Sequence, residues 1–229
     1  MKTGGLLQQL NTVTEWITKI FTANILWLFF NLPIVYLTFN LFAIKDPAGL
    51  IVNGLTIAFF APFILFPATT ALFGIIRKWV TTDSQVPLIR SYWRFYKENY
   101  IRSMIGGLLI VPLWFILVID YVYFAKTSSP LYYLFLAAGV FMFVFTLHFF
   151  SNTVHFHLKL FQSLKNAMLL SIGKPLHTVG ITVGIGILFY ISTSIFPLLI
   201  LLGLGSLGTL VAFLFLIKLL NVNKSLLSI

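Results

Sequence analysis

The sequence predicts an all-α fold: a polytopic transmembrane helical bundle of about six spans, with amphipathic cytoplasmic helices between spans two and three and between spans four and five. Three observations carry that prediction. Apolar residues make up 59% of the 229-residue chain and charged residues 9%, whereas a soluble domain carries about 25% charged residues. The apolar residues come in runs long enough to cross a bilayer. The cations gather in alternate connections between those runs.

Backbone N–H and C=O groups find no water in hydrocarbon, so an apolar run of about 20 residues must be a helix. The runs divide a single membrane domain, 1–229, into spans at about 21–44, 50–76, 101–124, 131–154, 176–202 and 204–220. The last two come from one stretch, Leu176 to Leu220, whose only charge is Lys218. Gly203, Gly205, Ser206 and Gly208 offer a tight turn in its middle. A five-span chain, with one long tilted helix there, is the rival.

Charge decides between them. With six spans, Lys2, Lys19, Arg77, Lys78, Arg90, Arg94, Lys97, Arg102, Lys159, Lys165, Lys174, Lys218 and Lys224 lie inside. Lys45 and Lys126 lie outside, thirteen against two. Cytoplasmic loops collect Lys and Arg, so both termini are expected in the cytoplasm. The same bias accounts for the net charge of +10, which in a soluble protein would suggest nucleic acid. No nucleic-acid partner is expected here. Lys2 stands far from the first apolar run near Phe21, unlike a cleavable signal peptide. The chain has no cysteine, which excludes disulfides, thiolate metal sites and palmitoylation.

Within the spans, Pro33, Pro62, Pro67, Pro112 and Pro197 each remove a helical hydrogen bond and favour kinks. Such kinks serve either packing or a broken-helix substrate site. Gly106 and Gly107, and the series Gly180, Gly184 and Gly186, allow close helix approach. Asn24, Asn31 and Asn40 are expected to bond between helices.

The connection between spans two and three is the most informative polar segment. Asp83 or Ser84 caps a helix and Pro87 suits its first turn. From Leu88 to Arg102, the residues Leu88, Tyr92, Phe95, Tyr96 and Asn99 share one side, and Arg90, Arg94 and Lys97 form a basic stripe. Glu98 is four residues from both Arg94 and Arg102 and can pair with either. Arg90, Tyr92, Trp93, Arg94, Phe95, Tyr96 and Lys97 are therefore the candidate partner- or lipid-contacting residues, on a helix suited to a membrane surface or to a groove on a partner. The connection from His155 to Lys174 has the same basic, helical character.

The candidate intramembrane polar residues are Asp120, His148, Asn152 and His155, because an ionisable group at membrane depth suggests function. Asp120 lies near the outer end of span three, where a hydrated carboxylate beside a Tyr, Lys126 or a helix end competes with a role in ion-coupled transport. His148, Asn152, His155, Lys159 and Gln162 follow one helical stripe, facing the bundle interior or cytoplasmic water. His148 and His155 are about 10 Å apart along the axis, while one ion needs both nitrogens at about 2 Å. No metal and no other cofactor is expected. No nucleophile elbow, phosphate loop or HExxH pattern occurs, so the chain is expected not to be an enzyme.

Several segments resemble the YesL-like family of small bacterial integral membrane proteins, a domain of unknown function. They are NLPIV at Asn31 to Val35, PATTALFGIIRKW at Pro67 to Trp79, VPL at Val86 to Leu88, SYWRFYKENYIRSMIGG at Ser91 to Gly107 and IDYVYF at Ile119 to Phe124. Genes of that family are often found beside carbohydrate ABC importers and sensor kinases. The resemblance therefore implies an accessory or scaffold role near sugar uptake, with the importer's permease or ATPase subunits as partners, besides the lipid bilayer and a second copy of the chain. It brings no catalytic or binding residues. Two alternatives stand beside it: a small permease with a polar cavity near Asn31, Thr69 and Thr70, and a membrane-embedded sensor or regulator. An enzyme would have to pair Asp120 with His148, which the predicted topology puts at opposite faces.

Overall fold

The computed structural model describes residues 3–82, 87–127, 130–156, 159–195 and 203–227. Among them there are nine α-helices and no strand. They are α1 (Thr3–Phe30), α2 (Leu32–Ala43), α3 (Pro47–Phe60), α4 (Leu65–Thr82), α5 (Leu88–Lys126), α6 (Leu131–His155), α7 (Leu160–Gly173), α8 (Pro175–Tyr190) and α9 (Leu204–Leu227), with a π-helical turn at Ile191–Ile195 after α8. The all-helical fold class is the expected one.

Three helices are long and apolar enough to cross a membrane: α5, α6, and α8 with its π turn. The first two predicted spans are bent pairs. Asn11–Phe30 meets Leu32–Ala43 at 79°, and Pro47–Phe60 meets Leu65–Thr81 at 51°. Among the described residues crossings thus number three, or up to five if each bent pair is one span, with Leu204–Lys218 a shorter apolar helix. Proline explains where the breaks fall. Pro33 is in the first turn of α2, Pro62 lies between α3 and α4, and Pro67 opens α4. In each place the missing N–H costs no interior helical bond. Pro112, by contrast, sits inside an unbroken α5, and Pro197 lies outside the described residues.

Two boundaries differ from expectation. The polar helix at Leu88 to Arg102 does not stop before span three. It continues into it as one 39-residue helix, about 58 Å long, against a hydrocarbon core of about 30 Å. Nothing between Asn99 and Gly107 breaks a helix, so the chain carries its turn straight through. Pro87 is the N-cap residue of α5 and makes no side-chain cap bond; Asp83 and Ser84 lie outside the described residues. Next, Gly205, Ser206 and Gly208 are helical, inside the first turns of α9. Gly205 serves close approach instead of a turn. A Cβ there would come 2.8 Å from Asn24 Oδ1, the atom that accepts the Ser206 N–H at 3.2 Å. Asn24 of α1 thereby satisfies one of the orphan N–H groups that open α9.

The core is centred on α4, whose residues Phe66 to Ile76 are buried apart from half-buried Thr69. It packs against α1, α5, α6 and α9. Gly106 and Gly107 of α5 make this possible. A Cβ at Gly106 would overlap the Phe149 ring of α6, and one at Gly107 would meet Pro62 and Phe66 at 2.8 Å.

Candidate functional site

The N-terminal end of α5 splits into an inner and an outer face. Tyr92 is buried, and its phenol donates to the Ala68 carbonyl of α4 at 2.8 Å. Phe95 is buried against Gly74. Phe30 of α1 packs on the rings of Tyr92, Trp93 and Tyr96 at 5.0, 5.7 and 4.9 Å. The aromatic face expected to meet lipid or a partner is thus largely internal, which corrects the reading of Tyr92 and Phe95. The physical reason is that α4 offers small residues, Ala68 and Gly74, where large rings gain dense contact and a phenol finds a carbonyl.

What remains outside is basic. Arg90, Trp93, Arg94 and Lys97 are exposed. Lys97 Nζ stands 4.6 Å over the Trp93 ring, and Trp93 stacks on half-buried Tyr96 at 5.8 Å. Arg94 pairs with Glu98 at 3.6 Å, with both side chains about half exposed; such a pair adds at most about 1 kcal/mol.

Glu98 pairs with Arg94 and not with Arg102, which turns inward. It donates to the Thr153 and Phe156 carbonyls, each at 3.3 Å, and to Ser163 Oγ of α7 at 2.8 Å. Arg77 of α4 donates to the Val154 carbonyl. These carbonyls close α6, where helical geometry leaves the last C=O groups without partners and the macrodipole favours a cation. Two residues counted in sequence as loop charges are therefore caps that tie α4, α5, α6 and α7 together. No local pattern reveals such caps, since each partner lies 50 residues or more away in sequence.

The polar stripe of α6 faces inward. His148 and Asn152 are buried and His155 is half-buried, with its ring 5.8 Å from that of Phe213 in α9. Ser151, unremarked in sequence, is buried beside them. His148 Nε2, Ser151 Oγ and both amide atoms of Asn152 have no hydrogen-bond partner among the described residues. The stripe does not run on to Lys159 and Gln162, because α6 ends at His155. Both are exposed at the start of α7, where Gln162 Oε1 accepts the Lys159 N–H at 3.3 Å.

Asp120 is half-exposed near the far end of α5. Its neighbour Tyr121 contacts Tyr132 at the start of α6, sixteen positions before His148 in that helix and so about 24 Å away along it. The structure does not bring Asp120 and His148 together. Among the described residues no group of three or more His, Cys, Asp or Glu is placed to hold a metal ion.

Of the expected interhelical asparagines, Asn24 bridges α1 and α9. Asn31 and Asn40 instead bond to the Trp27 and Tyr36 carbonyls four residues back. Asn53 supplies the bridge the sequence did not mark, from α3 to the Leu37 carbonyl of α2 at 2.9 Å. Near Asn31, Thr70 bonds to the Phe66 carbonyl and Thr69 accepts the Trp27 indole N–H at 3.1 Å. A cavity of about 340 Å³ opens instead among Trp114, Leu117, Phe135, Gly139 and Thr182, and its lining is apolar.

Residues 20–121, from the second half of α1 through most of α5, match the family described as protein of unknown function, DUF624. Over that stretch the chain is similar to the YesL-like proteins. It is 29% identical to the uncharacterized protein YteU of Bacillus subtilis (strain 168) over 182 residues, 78% of this chain and 71% of that protein. It is 25% identical to YesL of the same strain over 181 residues, 78% and 75%, and 28% identical to YesV over 129 residues, 55% and 62%. No solved structure matches. The matched region contains the Asn31 bend, the α4 core and the aromatic head of α5.

Proposed function

We propose that the chain is a non-enzymatic accessory or scaffold protein of the bacterial cell membrane, six-pass with both ends in the cytoplasm, acting with a carbohydrate ABC importer. The observation that carries this reading is the exposed strip Arg90, Trp93, Arg94 and Lys97. It stands at the start of a helix about twice as long as the hydrocarbon is thick, on a head braced by buried aromatic packing. Trp and Arg are common anchors at protein interfaces, and a rigid head holds them in place at little entropic cost. Support for the importer comes from the family resemblance. Affinity purification from native membranes in mild detergent is expected to recover a permease or ATPase subunit, and Arg94→Glu with Lys97→Glu to lose it. Recovery of neither subunit by the unaltered protein would count against the reading.

A small permease is the second reading. The unpartnered buried atoms of His148, Ser151 and Asn152 favour it, since intramembrane polar groups facing a bundle interior mark transport paths in other proteins. It requires solute uptake by proteoliposomes containing this protein alone.

A further inference from the structure

Helix α7 is amphipathic in the opposite sense to a helix on a soluble domain. It buries Ser163, Ala167 and Ser171, small residues four apart that let it lie close on α6. Its outer side carries Phe161, Met168, Leu169 and Ile172, which are 76, 52, 58 and 59% exposed. At helical spacing these four fall within an arc of about 100°. Leu176, in the first turn of α8, is 86% exposed as well. Small and polar inside with apolar outside is the pattern of a helix whose outer solvent is hydrocarbon.

Length sets its depth. Fourteen residues reach about 21 Å, too short to cross a core of about 30 Å. The helix leaves the capped end of α6 and leads into α8; α6, and α8 taken with its π turn, are long enough to cross. Arg102 bonds to Ser163 and so fixes which side α7 turns outward. Lys159, Lys165 and Lys174 are exposed, and no acid occurs between Lys159 and Leu176. Lys165 shares the apolar sector, where its stem can lie along the apolar side chains while the ammonium reaches the headgroups.

We propose that α7 is an interfacial helix, with Phe161, Met168, Leu169 and Ile172 among the acyl chains and its lysines on anionic phospholipid headgroups. The inference stands independently of the importer reading. It assigns the second basic connection to lipid and leaves the head of α5 as the surface for a protein partner.

The chain has no cysteine, so single-cysteine variants of the full-length protein take one spin label each. Labels at Met168→Cys and Ile172→Cys, in nanodiscs containing phosphatidylglycerol and phosphatidylcholine, are expected to be open to oxygen and several-fold less open to a water-soluble nickel chelate than a label at Arg90→Cys. Equal access of the chelate at all three positions would place α7 in water and overturn the proposal. Protection from both reagents would put a protein over the face and overturn it equally. In the unlabelled protein, Lys159→Gln, Lys165→Gln and Lys174→Gln together should lower the retained ratio of phosphatidylglycerol to phosphatidylcholine, by up to about fivefold per lysine. An unchanged ratio would remove the headgroup contact.

Discussion

Replacing Arg102 with Met is expected to loosen the junction of α4, α5, α6 and α7. The guanidinium makes one short bond, to Ser163 Oγ at 2.8 Å, and two longer ones, to the Thr153 and Phe156 carbonyls at 3.3 Å. Each bond to a charged group contributes about 1.5–3 kcal/mol, and an acceptor left unpaired in a buried place costs about 1–3 kcal/mol. The longer bonds fall at the bottom of that range, and Met keeps much of the aliphatic stem. Desolvation of the guanidinium offsets part of the total. The net loss works out at about 3 kcal/mol. Reversible unfolding of the purified protein in mixed micelles measures it, with Arg94→Met as the exposed control at under about 1 kcal/mol. A cycle with Ser163→Ala isolates the short bond. Hydrogen exchange at the end of α6 should rise in Arg102→Met alone. If Arg102→Met is no more destabilising than Arg94→Met, and exchange at 153–156 is unchanged, the capping role is refuted.

Three further outcomes follow. Tyr92→Phe removes the bond to the Ala68 carbonyl and should lower stability by about 1 kcal/mol; a shift within error in the same unfolding assay would mean the phenol is not bonded there. Asn152→Leu replaces two amide atoms without partners among the described residues by a side chain of similar volume, so it should be neutral or stabilising. A loss above about 2 kcal/mol would instead reveal a partner, such as ordered water, in the interior. For topology, a membrane-impermeant maleimide should label Lys126→Cys in intact cells and Arg90→Cys only after permeabilisation; the reverse order would invert the proposed orientation.

The fold class was legible because bilayer physics leaves few choices: long apolar runs without water must be helices. The helix at Leu88 to Arg102 was legible too, from the spacing of Leu88, Tyr92, Phe95 and Asn99. What periodicity could not say is what covers that face. An aromatic stripe reads the same whether it meets lipid, a partner or Ala68 and Gly74 of the neighbouring helix, and here the neighbour takes it. Pro33 and Pro62 marked the breaks, but a proline alone carries no angle, so bends of 79° and 51° were beyond it. Arg77 and Arg102 were misread for a related reason. A charge at a span end looks like a loop charge until the helix terminus it caps, far away in sequence, is folded beside it. Gly205 read as a turn residue because glycine serves turns and close approach alike, and only the position of Asn24 distinguishes them.

A photo-crosslinking residue in place of Trp93, activated in native membranes, would test most directly whether the outer face of the α5 head is a docking surface. The expected product is a covalent adduct with a permease or ATPase subunit of an ABC importer, absent when Arg94→Glu and Lys97→Glu are added. Adducts with lipid alone, or an importer adduct unchanged by the two charge reversals, would contradict it.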